Sequence, residues 1–193
     1  FVDDVDRKRF VRLLYICNGV KPVVYRNVQD FSLNKIDVGD KLVAIGSYCL
    51  MSNHFHILIK EVTENGIVKF MSKLLTSYSM YFNKRHERGG ALFGSQFRST
   101  HLDSDEYLKY IYSYIHLNPV KIIDPEWKEK GILDVAKSEK FLRGFTFSSY
   151  RDYVDNEREW SIILDKSVFP EYFSSVKEVE AHIKDWIDNK ELF

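Results

Sequence analysis

Residues 51–58 read Met51-Ser-Asn-His-Phe-His-Ile-Leu58, and this stretch decides how the rest of the chain is interpreted. It places two imidazoles two positions apart inside an apolar run. Successive side chains of a β-strand alternate between its faces, so His54 and His56 are predicted to point one way and Phe55 the other. Two neutral imidazoles in this arrangement suit a metal ion, although a wet strand face with two polar residues has the same pattern.

The same stretch predicts a β-hairpin. Residues 41–50 have strand character, residues 51–53 form a tight connection, and residues 54–61 return along the first strand. A hairpin at this point in the chain indicates an antiparallel sheet.

Two helices flank the hairpin. The first is predicted to begin with Asp3 or Asp4 as its cap and to stop before Gly19. The second opens at Asn65 and extends over residues 66–83, where apolar residues recur at helical spacing.

A further strand and a third helix follow. Residues 95–102 are predicted as a short strand. Asp103 and Glu106, three residues apart, resemble a capping box that opens a helix reaching Asn118. The order is therefore helix, strand, strand, helix, strand, helix.

One strand before residue 1 would complete a ferredoxin-like α+β fold, a split β-α-β-β-α-β antiparallel sheet with an extra helix. That first strand is missing from the sequence and is expected upstream of it. Residues 1–121 are predicted to form this core. Residues 122–193 are predicted to be a helical C-terminal appendage, with helical periodicity over 147–154 and 176–189.

The net charge of the chain is zero, but its distribution is uneven. Residues 65–102 carry six lysines and arginines against one acidic residue, whereas residues 122–193 carry an excess of acidic side chains. Because the local field governs how a polyanion approaches, the middle third is a candidate phosphate-facing surface. A solvated helix face followed by a basic loop would give the same count.

The cysteine content and hydropathy point to an intracellular protein. Cys17 and Cys49 are the only cysteines, too few for a disulfide framework or a four-cysteine metal site. No signal peptide and no apolar run of membrane-spanning length is present. We expect a cytoplasmic protein of the bacterial cytosol, associated with the nucleoid, with no membrane partner.

The third predicted helix is rich in tyrosine. Tyr107, Tyr110, Tyr114 and Asn118 fall on one face at spacings of three and four. Taken alone, the pattern is more typical of a packed aromatic helix surface.

Three motifs together resemble the single-tyrosine HUH transposases of the insertion-sequence TnpA type. They are Tyr48-Cys-Leu-Met-Ser-Asn-His-Phe-His-Ile-Leu58, Gly94-Ser-Gln-Phe-Arg-Ser99 and Tyr114-Ile-His-Leu-Asn-Pro-Val-Lys121. The branch with REP-associated tyrosine transposases is the most similar, since the runs at 6–10 and 147–153 also resemble it. The neutral overall charge and the absent first strand depart from the family pattern.

The resemblance implies the roles of the site residues. His54 and His56 would hold a divalent cation, Mg²⁺ or Mn²⁺, with Asn118 as the polar third ligand. Tyr114 would be the nucleophile, on what would be the catalytic helix. The reaction it implies is metal-dependent cleavage of single-stranded or hairpin DNA through a 5′-phosphotyrosine intermediate, followed by strand transfer.

DNA would be contacted by basic residues of the middle third, for which the candidates are Lys69, Lys73, Lys84, Arg85 and Arg98. An alternative function is a domesticated hairpin-binding protein without cleavage activity, and a third is phosphodiester hydrolysis by water. The resemblance leaves the oligomeric state open, because some relatives form homodimers that share their active sites and others act as monomers.

Overall fold

The hairpin around the two histidines is present in the computed structural model, which describes residues 1–154 and 158–170. Strand β1 is Val43–Leu50 and strand β2 is Phe55–Glu61, and the two form a two-stranded antiparallel sheet. Every residue of β1 is buried, whereas most of β2 is only partly covered. The predicted hairpin is confirmed to within two residues at each strand end.

Helices precede and follow this hairpin along the chain, and the protein is of mixed α/β type. Their bounds are α1 Asp4–Ile16, α2 Tyr25–Val28, α3 Gly66–Arg85, α4 Asp105–Leu117, α5 Trp127–Lys130, α6 Val135–Gly144 and α7 Tyr150–Val154. Short 3-10 turns occupy Leu33–Lys35, Asn118–Ile122, Glu159–Ile163 and Lys166–Val168.

The helix starts follow from local capping. The side chain of Asp3 accepts a hydrogen bond from the Asp6 N–H and so caps α1, as predicted. Helix α4 is capped by Ser104, whose hydroxyl accepts from the Tyr107 N–H at 3.2 Å. The predicted capping box at Asp103 is therefore wrong by one residue.

The strand predicted over residues 95–102 is also wrong. The structure has no regular secondary structure there, and residues 94–101 are exposed to solvent. A strand needs a neighbour to receive its backbone hydrogen bonds, and no described strand pairs with this segment. The ferredoxin-like arrangement of the sheet stays a prediction.

The described residues fall into two compact units whose division passes through both strands. The first contains residues 1–45, 59–101 and 159–165, and its core joins α1 to α3. Phe10 on α1 packs edge-on against Tyr78 on α3, with ring centroids 5.0 Å apart. Asp6, fully buried, binds Arg85 and His86 from the end of α3.

The second unit contains residues 46–58, 102–154, 158 and 166–170 among those described. Its part of β1 is covered along the outer edge by residues 147–149. Leu50 N–H donates to the Phe147 carbonyl and Ser149 N–H donates to the Tyr48 carbonyl, each at 2.9 Å. Arg158 holds this covering segment by binding the Ser148 carbonyl and the buried carboxylate of Asp152, both at 2.7 Å.

Two apolar clusters of the second unit fix α4 and the chain after it. One joins α4 to β1 and β2 through the buried residues Cys49, Met51, Leu58, Tyr112 and Ile115. The other joins the end of α4 to α5, α6 and α7 through Leu117, Val120, Trp127, Leu142 and Tyr150.

Part of the predicted C-terminal region can be compared with the structure. The helix predicted over 147–154 is shorter, since α7 begins at Tyr150. The helix predicted over 176–189 lies outside the described residues. The boundary between residues 121 and 122 stays a prediction. In the described part of the chain, no helix is long and apolar enough to span a membrane.

Candidate active site

The hairpin turn sets the position of His54. Its carbonyl accepts a hydrogen bond from the Met51 N–H at 2.9 Å, and its Nδ1 lies 2.7 Å from Oδ1 of Asn53. With the Asn53 amide oxygen facing this nitrogen, Nδ1 is the donor and Nε2 keeps its lone pair. His54 therefore presents Nε2 as a ligand atom.

His56 lies two residues further on, at the start of β2. The two imidazole rings have centroids 5.0 Å apart and are nearly perpendicular, at 88°. Nε2 of His56 is buried and has no hydrogen-bond partner among the described residues. A buried polar atom without a partner costs free energy, which a ligand at this nitrogen would recover.

Both histidines are held in the neutral form that binds metals. Burial lowers the pKa of His56 to about 4, assisted by the charges of His54 and Lys128. The pKa of His54 is also lowered, first by burial and then by Lys121 and Lys128. At neutral pH the pair therefore carries no protons that would compete with a cation.

Helix α4 brings Tyr114 to this pair. The ring of Tyr114 meets that of His56 edge-on, with centroids 5.5 Å apart. On its other side Tyr114 stacks on Tyr110 at 5.9 Å, and Tyr110 stacks on Tyr107 at 6.1 Å. The tyrosine face predicted from spacing is therefore a continuous stack of rings that ends at the histidines.

Asn118 follows Tyr114 by one helical turn, and its N–H donates to the Tyr114 carbonyl. Its side chain is buried, with 3% of its surface exposed, and its Nδ2 has no partner among the described residues. Rotating the amide by 180° exchanges its nitrogen and oxygen, so either atom fits this position. Asn118 thus contributes a second buried polar atom that has no partner among the described residues.

These residues fit a divalent cation with a mixed nitrogen and oxygen ligand set. Within the described ranges, no group of three or more histidine, cysteine, aspartate or glutamate side chains is placed to hold a metal. A cation here would therefore depend on His54, His56 and Asn118, and all three of these ligands are neutral.

Lys128, at the second position of α5, belongs to the same cluster and was not predicted from the sequence. Its Nζ donates a hydrogen bond to the Tyr114 hydroxyl at 2.7 Å and lies 4.2 Å from the centroid of that ring. The contact joins residues fourteen positions apart through the packing of α5 on α4. No local sequence signal marks it.

His116 has a structural role. It is buried, and its Nε2 lies 2.7 Å from the Ser149 hydroxyl, which in turn accepts from the Tyr48 N–H. Burial lowers the pKa of His116 to about 3. This chain of hydrogen bonds ties α4, and with it Tyr114, to β1.

The five predicted DNA contacts lie in the first unit, four of them on α3. Arg85 binds Asp3 and Asp6, and Lys73 donates to the Gly19 carbonyl. Lys69 donates to the Glu64 carbonyl at 2.9 Å. Lys84 and Arg98 are exposed. Contact with DNA stays a prediction for all five.

One comparison with known proteins gives a match. Residues 28–118, just under half of the chain, match the family model described as "Transposase IS200 like". The match includes both histidines, Tyr114 and Asn118, and it ends before Lys128. Neither the curated proteins nor the solved structures include a significant match to this chain.

Proposed function

We propose that this protein is a transposase, a metal-dependent single-stranded DNA endonuclease and strand-transfer enzyme of the single-tyrosine HUH type. The observation that carries the proposal is the convergence of His54, His56 and Tyr114, whose neighbouring ring centroids lie 5.0 and 5.5 Å apart. The similarity of residues 28–118 to IS200-like transposases supports it.

His54, His56 and Asn118 would hold the cation. Their free nitrogen and amide atoms are ligands that Mg²⁺ or Mn²⁺ accepts. Once bound, such a cation withdraws negative charge from a non-bridging phosphate oxygen and orients the phosphate. The neutral state of both imidazoles at pH 7 supports this role.

Tyr114 would attack the phosphorus of a DNA phosphodiester. Its ring meets that of His56 edge-on, so the Tyr114 side chain lies beside the proposed cation ligands. The products are a 5′-phosphotyrosine and a free 3′ hydroxyl. The phosphotyrosine conserves the energy of the broken bond, so a second 3′ hydroxyl reverses the step onto new DNA without ATP.

The substrate in this proposal is single-stranded or hairpin DNA in the bacterial cytosol, at the nucleoid. Basic residues of α3 would bind its phosphates and exposed aromatic rings its bases. The run Phe147-Ser-Ser-Tyr-Arg-Asp-Tyr153 supports assignment to the REP-associated branch. Since His56 and Tyr114 of one chain meet, we propose that each subunit completes its own site without a homodimer.

The test is covalent capture of DNA. A hairpin-containing oligonucleotide, labelled at its 3′ end, is incubated with the protein and Mn²⁺ and resolved on a denaturing gel. We expect a labelled protein–DNA adduct that Tyr114→Phe abolishes. Tyr110→Phe is the matched control, because it removes the neighbouring hydroxyl of the same stack.

The other outcomes each identify a different function. An adduct that survives in Tyr114→Phe and disappears in Tyr110→Phe would move the nucleophile by one helical turn. DNA binding without an adduct, across several hairpins, would indicate a binding protein that no longer cleaves. Cleavage that continues without Tyr114 and without an adduct would indicate hydrolysis by water.

A further inference from the structure

We propose that Lys128 is a catalytic residue of this site, whose ammonium group holds the Tyr114 hydroxyl and then neutralises the phosphate that Tyr114 attacks. The inference rests on the proposed function and adds a residue that lies beyond the segment similar to IS200-like transposases. It starts from the direct hydrogen bond between Lys128 Nζ and the reacting oxygen, at 2.7 Å.

A rigid element presents this lysine. Its neighbour Trp127 is buried, with 1% of its surface exposed, in the apolar cluster that contains Leu117 and Val120 at the end of α4. Asp124 braces the chain on both sides of α5, since its carbonyl accepts from the Trp127 N–H and its carboxylate accepts from the Leu133 N–H. The backbone that carries Lys128 is therefore held against the end of α4, and the exposed side chain reaches the Tyr114 hydroxyl from there.

Lys128 is not used for an ion pair within the described part of the protein. Its neighbour Lys130 shows the contrast, because that side chain forms a salt bridge with Glu126 at 2.6 Å. Lys128 therefore brings to the Tyr114 hydroxyl a positive charge that no carboxylate of the described residues pairs with.

A DNA phosphate would supply the missing negative charge. An ammonium attracts a phosphate in direct contact with it, and an ammonium already positioned on the Tyr114 hydroxyl also stabilises charge that develops on the phosphate oxygens. Conversely, without DNA the same ammonium repels a cation at the histidines. Lys128 thus makes the site favour a cation only when a phosphate accompanies it.

The covalent step balances without a further reactant. The Tyr114 oxygen forms a bond to phosphorus, and the bond between phosphorus and the 3′ oxygen breaks. The phenolic proton passes to bulk water, and the departing 3′ oxygen takes one proton from bulk water. Lys128 takes no part in these proton transfers and acts by charge and by hydrogen bonding.

The experiment measures two properties of Lys128→Met, which keeps the length of the side chain and removes its charge. In the presence of hairpin DNA and Mn²⁺, we expect the rate of adduct formation to fall about 100-fold. In the absence of DNA, we expect Mn²⁺ affinity, measured by electron paramagnetic resonance, to rise about fivefold because the repulsion is removed. Lys128→Arg should retain at least about a tenth of the rate, since it restores charge and a donor.

Lys130→Met is the matched control, an exposed lysine of the same short helix whose loss should change neither property. An unchanged adduct rate in Lys128→Met would overturn the inference. A parallel fall in adduct rate and in DNA-free Mn²⁺ affinity would overturn it too, because it indicates a merely structural role. If the wild-type protein forms no adduct, the proposed function fails, and unchanged Mn²⁺ affinity in Lys128→Met would then also overturn the electrostatic role.

Discussion

Two polar clusters, one in each unit, differ in how completely their groups are satisfied. In the first unit Asp6 accepts hydrogen bonds from the Val2 N–H, the Tyr81 hydroxyl and Arg85, and it also contacts His86. In the second unit the cluster of His54, His56, Tyr114 and Asn118 leaves two buried polar atoms without a described partner. The first cluster satisfies the carboxylate of Asp6, whereas a ligand at the second would satisfy atoms that the described residues leave without a partner.

The comparison also explains why charge along the sequence is a poor measure of charge available to DNA. Arg85 lies in the most basic segment, yet its guanidinium is bound by Asp3 and Asp6. Lys128 lies in the acidic last third, and its described partner is the Tyr114 hydroxyl. Tertiary contacts determine which charges remain for a ligand.

The largest effect is expected at the satisfied cluster. Asp6→Ala removes the buried acceptor that the Val2 N–H, the Tyr81 hydroxyl and Arg85 share, although Arg85 keeps Asp3. The free energy of unfolding should therefore fall by about 3–5 kcal/mol in urea denaturation. Asp4→Ala is the control, since Asp4 is an exposed acid of the same helix whose ion pair with Arg7 contributes roughly 0.5 kcal/mol. Equal losses in the two variants would contradict the assignment of Asp6 as the structural centre.

A smaller change in free energy is expected from a substitution in the second cluster, at His56. It should reduce activity without reducing the free energy of unfolding. His56→Leu removes a metal ligand, so adduct formation should decrease roughly 100-fold. It also removes a buried atom without a partner, so the free energy of unfolding should stay constant or rise by about 1 kcal/mol. Denaturation and adduct assays on one preparation test both parts. A large loss of stability would show that His56 is a structural residue.

The smallest expected effect is the loss of stability at acidic pH, which should differ between the two units. Burial gives folded His116 a pKa of about 3, below the unfolded value, so unfolded chains bind its proton first as pH falls below about 6.5. The second unit should then lose about 1.4 kcal/mol per pH unit for this group. Burial alone would raise the pKa of Asp6, but its hydrogen bonds with Val2, Arg85, His86 and Tyr81 lower it. Its contribution persists until about pH 4.

Hydrogen exchange at pH 7 and pH 5, corrected for the intrinsic rates, separates the two responses. Protection of α4 should decrease at pH 5, whereas protection of α1 and α3 should change less. His116→Gln should reduce the pH dependence of α4. An equal loss of protection in both units would contradict the contrast between the clusters.

The parts of the fold that the sequence predicted are those with local causes. The cap at Asp3, the helix start at Asn65 and the hairpin at residues 51–53 all depend on neighbours in the chain. Residues 95–102 were predicted as a strand, but no described strand pairs with them, so local sequence alone was insufficient. A segment with strand character forms a strand only where a neighbouring strand can pair with its backbone.

For the candidate site too, the sequence predicted the arrangements that have local causes and not those that depend on tertiary packing. The spacing of the histidines placed their rings together, and the helical spacing of Tyr114 and Asn118 placed these two residues one turn apart. The ring contact between Tyr114 and His56 depends on the packing of segments that are distant in sequence. So does the hydrogen bond from Lys128 to the Tyr114 hydroxyl. Only the resemblance to a family indicated the first, and nothing in the sequence indicated the second.

The covered edge of β1 has a consequence for the timing of synthesis. A nascent chain that has emerged as far as Asn118 already contains the histidine pair and Tyr114, yet residues 147–149 are not there to pair with β1. The hydrogen bond between His116 and the Ser149 hydroxyl also cannot form at that stage. The ribosome must therefore deliver about thirty further residues before the strand and helix are locked together. The strand and the helix that carry the histidines and Tyr114 are therefore secured only late in the synthesis of the chain.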